Sequence, residues 1–286
     1  MKSTITAIVL TLNEELNIID CLKSVILFDR VIVLDSGSSD STTSLSCKLG
    51  AEVYIHKPNG TFLFSEQRNW ALDNCSINTD WVLFLDADER ISKSLYQELR
   101  AISNHPSSQH INAFYLAPRY IFFNKWLRFC QHYPNWHPRF LRSSCIRFSG
   151  GMWESFVGLD NKKPNSADLG YVKIPYEHIA FSKGFDDWFV KHLRYASWDS
   201  KVALDYLESS SDFDSSFISR KSALRIVAIR LWFLRPLLRF CHKYIYSLGF
   251  LDGWQGLLFS LLMSFYELLV VIKILEHKYS LGSSNA

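Results

Sequence analysis

The chain has 286 residues, 48% hydrophobic and 21% charged, with a formal net charge of +3 and a pI near 8.4. That length holds one domain of about 200 residues plus an appendage, and so mild a charge argues for no nucleic-acid partner. Six scattered cysteines, Cys21, Cys47, Cys75, Cys130, Cys145 and Cys241, lack paired spacing. They fit reduced thiols in a cytosolic compartment better than a disulfide framework or a zinc site.

Residues 5–15 read as a strand followed by a polar turn, with no charged, apolar and cleavage-site sequence ahead of it, so no cleaved signal peptide is expected. Asn13 can cap a helix carrying Leu16, Ile19 and Leu22. Residues 31–42 give a second strand ending in Asp35 and a Gly/Ser turn, after which Ser39 or Asp40 can cap a helix with Leu45 and Leu49 that stops at Gly50. A short strand over 52–56, a helix over 65–73 and a buried strand over 81–86 complete the order β-α-β-α-β-α-β. This order predicts a parallel sheet with helices on both faces. Ligands on such sheets bind beyond the carboxyl ends of the strands, where Asn13, Glu14, Asp35 and Asp86 lie.

The last of these strands runs straight into Asp86-Ala87-Asp88. Once the chain leaves the sheet, carboxylates at i and i+2 can converge on one divalent ion, and Ala87 is too small to obstruct them. The same three residues also suit a solvated acidic turn.

Together, Thr11-Leu12-Asn13-Glu14-Glu15, Asp35-Ser36-Gly37-Ser38-Ser39-Asp40 and Asp86-Ala87-Asp88 resemble, in order and spacing, glycosyltransferase family 2. The likeness covers roughly the first 200 residues and implies the GT-A fold, a mixed, mostly parallel nucleotide-sugar-binding sheet flanked by helices. It further implies inverting transfer of a sugar from a nucleotide-diphosphate donor with Mg²⁺ or Mn²⁺. By that resemblance Leu12, Asn13 and Glu14 line the nucleoside pocket, Asp35 accepts a hydrogen bond from the base, and Arg68 and Asn69 close over the nucleotide. Asp86 is then placed near ribose and metal, with Asp88 the direct ligand. The second family motif often has two adjacent acids; here Ser36 stands at the second position.

A leaving diphosphate gains negative charge as the glycosidic carbon takes on oxocarbenium character, so a divalent ion favours the transition state over the ground state. Neither a P-loop nor Gly-x-Gly-x-x-Gly is present to share that work. The acceptor hydroxyl needs a base on the opposite face of the donor ring. Glu154 is the candidate, after two glycines that allow close approach and beside Trp153, a flat surface for a sugar. An exposed strand-end Glu is the alternative, with Asp160 as a second candidate base. Family relatives often carry His-Glu where this chain has Trp153-Glu154. Trp136, His137 and Arg139 fall on a strand beside the acceptor, where Arg139 and Arg142 either contact phosphate or are solvated. His178 either completes the metal shell or is structural. Lys191 and Tyr195, four apart on a helix over 185–206, either close over the pyrophosphate or pack.

After a polar linker over 208–216 the chain changes character, interleaving Arg220, Lys221, Arg225, Arg230, Arg235, Arg239 and Lys243 with aliphatic and aromatic residues. Such a helix suits an anionic membrane surface or packing on the catalytic domain, and Pro236 should kink or divide it. Residues 257–272 are 16 in number, with Glu267 inside, short of the roughly 20 apolar residues a span needs. A hairpin in one leaflet is therefore expected. This pattern resembles the lipopolysaccharide-core β-glucosyltransferases of family 2, implying glucose from a UDP donor and a lipid-anchored acceptor at the cytoplasmic membrane face, lipopolysaccharide inner core or a polyprenyl-linked or exopolysaccharide glycan. The enzyme is then peripheral or monotopic on the inner membrane. The expected division is 1–105 for the nucleotide sugar, 106–207 for acceptor and catalysis, and 218–286 for the membrane. A sugar nucleotidyltransferase, which usually wants a Gly-rich basic loop after the first strand, and a non-catalytic binding module are the competing readings.

Overall fold

The computed structural model describes residues 3–58, 63–108, 110–150, 154–179, 181–208 and 232–282. Its elements begin with β1 (Ile5–Thr11), α1 (Ile18–Val25), β2 (Arg30–Asp35), α2 (Thr42–Lys48), β3 (Glu52–Ile55), α3 (Phe64–Asn74) and β4 (Trp81–Asp86). Next come β5 (Glu89–Arg90), α4 (Lys93–Asn104), β6 (Ala113–Phe122), β7 (Lys125–Trp126), β8 (His137–Leu141), β9 (Ile146–Ser149), β10 (Ser155–Gly158) and β11 (Leu169–Ile179). The helices α5 (Gly184–Glu208), α6 (Arg235–Phe240) and α7 (Gly253–Gly282) complete the series.

Every residue of β1 is buried, as a continuous apolar run requires of a central strand covered on both faces. Parallel neighbours β2 and β4 flank it, in a sheet ordered β3-β2-β1-β4-β8-β6-β11-β5. Because strand side chains alternate, Ile5, Ala7, Val9, Trp81, Leu83 and Leu85 face α1 and α4. Ile8, Leu10, Ile32, Leu34, Val82 and Phe84 face α3 and the β9–β10 ribbon. Pairing of Thr11 with Asp35 and of Leu10 with Asp86 brings three strand ends to one edge. Antiparallel β8 then joins β4 to β6, and β11 runs parallel to β6.

The first two helices start later than their sequence suggests. Asn13 has φ 56° and is not a cap; residues 14–17 form a turn, with the N–H of Ile18 donating to Glu14 O at 2.8 Å, before α1 begins. Asp40 Oδ1 accepts from the N–H of Thr42 at 3.0 Å, at the start of α2. Gly50, at φ 81°, stops that helix in a conformation favouring glycine.

Contacts divide the chain into two units, 1–121 with 133–182, and 122–132 with 183–286. Residues 183–207, assigned by sequence to the acceptor half, therefore belong with the C-terminal helices. In that second unit Ala196, Ala203 and Leu204 of α5 pack with Tyr266, Leu269, Val270 and Ile274 of α7. The 16-residue apolar run proves to be part of a continuous 30-residue helix, so α7 is long and apolar enough to cross a membrane. Pro236 stands in the first turn of α6, where its missing N–H costs no helical bond, so it marks a helix start, as a dividing proline does, and not a kink. Arg235 and Arg239, expected to face a membrane, both ion-pair with Glu267, Arg235 Nε at 2.7 Å from its carboxylate. Arg220, Lys221, Arg225 and Arg230 lie outside the described residues.

Candidate active site

Asp86 ends β4 between two guanidinium groups. Arg68 Nη2, from α3, donates to Asp86 Oδ1 at 3.0 Å, and Arg139 Nη2, from β8, donates to Oδ2 at 3.0 Å. Arg139 also reaches Glu89 Oε1 at 2.8 Å, while Glu89 Oε2 accepts from the Asp86 N–H at 3.0 Å. Glu154 pairs with Arg68 at the other end. The result is an alternating chain, Glu154–Arg68–Asp86–Arg139–Glu89, in which each buried charge meets an opposite one; isolated, each would cost several kcal/mol (about) to desolvate.

Burial carries the Arg68 guanidinium down to about 10, with the like charge of Arg139 adding to it. Burial opposes ionisation of Asp86, but Arg139 and Arg68 outweigh it and hold this carboxyl below its ordinary range. Glu89, fully buried, is pushed up by desolvation against the pull of Arg139. Arg68 and Arg139 are 1% and 4% exposed, and both clamp carboxylates.

Asp88 and His178 form a second group. Pairing of β11 with β5 sets His178 opposite Glu89, and its Nε2 stands 3.4 Å from Asp88 Oδ2. The ring lies 4.7 Å from that of Tyr120, and Nδ1 faces Glu89 Oε1 at 3.9 Å. Desolvation alone would depress the imidazole, but the charge and hydrogen bond of Asp88, then Glu89, raise it. Two donors on one divalent ion, with bonds of about 2.1 Å, stand about 3.0–3.4 Å apart. The Asp88–His178 spacing fits that, and the buried His178 Nδ1 has no hydrogen-bond partner to hold the ring elsewhere. Among the described residues no set of three or more His, Cys, Asp or Glu side chains is arranged to hold a metal. Both oxygens of Asp86 accept from arginines.

At the ends of β1 and β2 two loops are stitched together. The Asn13 N–H donates to Ser38 Oγ at 2.7 Å, Asn13 Oδ1 accepts from the Ser39 N–H at 2.8 Å, and the Glu14 N–H donates to Thr42 Oγ1 at 2.7 Å. Leu12 is exposed beside them. Asp35 is fully buried and accepts from the N–H groups of Gly37 and Ser38 and the hydroxyls of Thr11 and Ser38. Those four donors fill a carboxylate's capacity. Asp35 therefore shapes the turn at the end of β2. Asn69 Nδ2 donates to Phe148 O and its Oδ1 accepts from the Phe148 N–H, both at 2.9 Å, pinning β9 to α3.

Trp136 packs edge-on against Tyr171 at 4.9 Å. Next to it, burial and then Arg139 push His137 down to about 3, so the ring is neutral. Asn135 Nδ2 donates to its Nε2 at 3.0 Å, which leaves Nδ1–H to donate to Tyr176 Oη at 2.9 Å. Trp153 lies outside the described residues. Lys191 and Tyr195 are on α5 in the second unit, where Tyr195 packs against the α5–α7 core.

Sequence reasoning missed Glu89 and Tyr176. Glu89 directly follows the Asp-x-Asp run, a visible signal; Tyr176 offered none.

The profile of glycosyl transferase family 2 matches residues 6–148, half of the chain. The chain is similar to uncharacterized glycosyltransferases of Rickettsia felis, 26% identical over 95% of this chain and 89% of the relative, and of Rickettsia conorii, 36% identical over 39% and 38%. It is also similar to the lipopolysaccharide core biosynthesis glycosyltransferase LpsC of Rhizobium meliloti, 31% identical over 34% of this chain and 36% of that protein. The shorter matches thus span little more than a third of the relatives' own length. Among solved structures, glucosyl-3-phosphoglycerate synthase from Mycobacterium tuberculosis with Mn²⁺, UDP and glucosyl-3-phosphoglycerate is 25% identical over 41% of this chain and 44% of that one, with a TM-score of 0.34. With the family profile covering the strands that end at Thr11, Asp35 and Asp86, the chain belongs to glycosyltransferase family 2.

Proposed function

We propose that the chain is a metal-dependent, inverting hexosyltransferase that takes glucose from UDP-glucose and places it on a lipid-anchored glycan such as lipopolysaccharide inner core. The observation that carries this reading is the Asp88–His178 pair, 3.4 Å apart beside the arginine-held Asp86. Asp88 and His178 would hold Mg²⁺ or Mn²⁺, which when bound offsets the charge developing on the departing diphosphate. Leu12, Asn13 and Glu14 border the nucleoside, and Asp35 fixes the turn against which it rests. The arginine clamp keeps the Asp86 carboxylate in one orientation, so it needs no rearrangement when the donor arrives.

Glu154 acts as base towards the acceptor hydroxyl. One of its oxygens faces Arg68, and the other, Oε1, has no hydrogen-bond partner and is the one that takes the proton. Trp136 and Trp153 supply flat surfaces for acceptor sugars. The likeness to LpsC and the apolar α7 support an acceptor at the cytoplasmic face of the inner membrane, with the enzyme peripheral or monotopic there. A polyprenyl-linked or exopolysaccharide glycan fits the same features.

The test is turnover by purified protein of UDP-, GDP- and dTDP-sugars, with Mn²⁺ or EDTA and with membrane glycolipid extract as acceptor. Metal-dependent release of UDP from UDP-glucose, stimulated by the extract, is expected. Turnover unchanged by EDTA would remove the metal role, and binding without turnover would turn the reading to a non-catalytic module.

A further inference from the structure

Residues 122–132, between β6 and β8, fold with the C-terminal helices as one unit. Their attachment is polar and internal. Asp252, 2% exposed, accepts from the backbone N–H groups of Arg128, Phe129 and Cys130 at 3.1, 3.0 and 2.9 Å. Lys243, also buried, donates to Cys130 O at 2.8 Å. In the elbow leading into α7, a Cβ on Gly256 would stand 2.1 Å from the carbonyl oxygen of Gly249, so the two turns are in backbone contact. Loop and elbow are thus fixed to each other from within.

Both segments expose large apolar side chains. Phe123, Tyr246, Phe250, Leu251 and Trp254 are 53%, 79%, 47%, 51% and 59% exposed, and the Phe123 and Trp254 rings meet at 5.5 Å. Large apolar groups gathered on two pinned segments mark a contact surface, in contrast to singly scattered ones. Charge identifies what it contacts. The charged side chains of 122–132 and 232–256 are Lys125, Arg128, Arg235, Arg239, Lys243 and the buried Asp252; Arg235 and Arg239 pair with Glu267 and Lys243 is buried, so Lys125 and Arg128 of the loop are the cations left for a surface. Of these, Arg128 is exposed on the loop itself. Exposed Tyr and Trp on segments that also carry cations suit the headgroup level of an anionic bilayer.

We propose that Phe123, together with Tyr246, Phe250, Leu251 and Trp254, forms one preorganised platform that inserts into the interfacial region of an anionic membrane. The β6–β8 loop is then as much a membrane element as the C-terminal helices. This deepens, and rests on, the membrane-facing acceptor reading.

The test is flotation of the full chain with vesicles of phosphatidylcholine alone or with phosphatidylglycerol, for wild type, Phe123→Ser/Trp254→Ser and, as an independent variant, Phe250→Asp. Donor hydrolysis and melting temperature are followed in the same preparations. Wild type should float with phosphatidylglycerol vesicles, and each variant should lose at least about tenfold in affinity at unchanged hydrolysis, the burial of one or two large side chains being at stake. Equal flotation of wild type and both variants overturns the platform. So does a wild-type dimer that either variant converts to monomer, since a second copy then covers this face. Flotation lost in the variants while wild type hydrolyses no donor would leave the platform standing and remove the catalytic reading.

Discussion

Glu89 bonds both Arg139 and the backbone of Asp86 at the end of β4. One oxygen is 2.8 Å from Arg139 and the other takes the Asp86 N–H, and no part of the side chain reaches solvent. Removing one partner of a buried pair leaves the other charge uncompensated, a loss of about 3–5 kcal/mol. Glu89→Ala should therefore lower unfolding stability by that amount in urea titration. Glu177→Ala, which breaks the 3.7 Å pair with Arg119 at the surface, should cost less than about 1 kcal/mol. Equal effects would mean that burial of the clamp contributes nothing. Asn69→Ala gives a sharper division of roles, because both ends of that amide are bonded to the Phe148 backbone. Loss of about 1–3 kcal/mol of stability with UDP affinity unchanged is expected; weaker UDP binding at unchanged stability would restore Asn69 to the nucleotide. Residue type was enough to single out Asp86, Asp88 and His178 as chemistry-bearing groups. It could not show that Arg68 and Arg139 point inward, because a guanidinium is buried only when three separate elements bring carboxylates to it.

At the scale of elements, the parallel half was legible and the antiparallel half was not. Apolar runs of four or five residues in β1, β2 and β4 identify central strands, since burial on both faces leaves little polar alternation. β8 and β11 carry Pro, Arg, His, Glu and Tyr within strands, because one end of each lines the charged cluster. Their pairing depends on long-range register that no local pattern encodes. One glycine in β11 has a steric reason that follows from that register. Gly170 lies opposite Phe114, and a Cβ there would stand 2.3 Å from the Phe114 ring. That ring is held at 5.8 Å from Trp81 and 6.1 Å from Phe140, so it cannot withdraw without disturbing the core. Gly170→Ala should cost about 1–3 kcal/mol through overpacking, measured as a lower urea midpoint with an unchanged slope. The double variant Gly170→Ala/Phe114→Leu should recover part of it; no recovery would mean that the strain arises in the backbone.

For the molecule as a whole, the chain's mild net charge conceals a large internal one. Glu267 lies inside a helix that is about 45 Å long and largely apolar, a position where a lone carboxylate is costly in protein or lipid. The structure answers with two arginines: Arg235 and Arg239, from α6, both reach its carboxylate, which is 3% exposed. Those cations are therefore committed to holding α6 on α7 and are not available in full to an anionic surface. Replacing both by Gln should leave Glu267 buried without a counter-charge and lower stability by about 3–5 kcal/mol. If the triad contributes little net energy once desolvation is counted, the triple variant Arg235→Leu/Arg239→Leu/Glu267→Leu should melt within a few degrees of wild type, since apolar groups of similar size replace all three charges together. Thermal unfolding followed by far-ultraviolet circular dichroism distinguishes the two cases. A triple variant as unstable as the double one would show that the ion pairs themselves, and not merely the avoidance of a stranded charge, hold the helical hairpin closed.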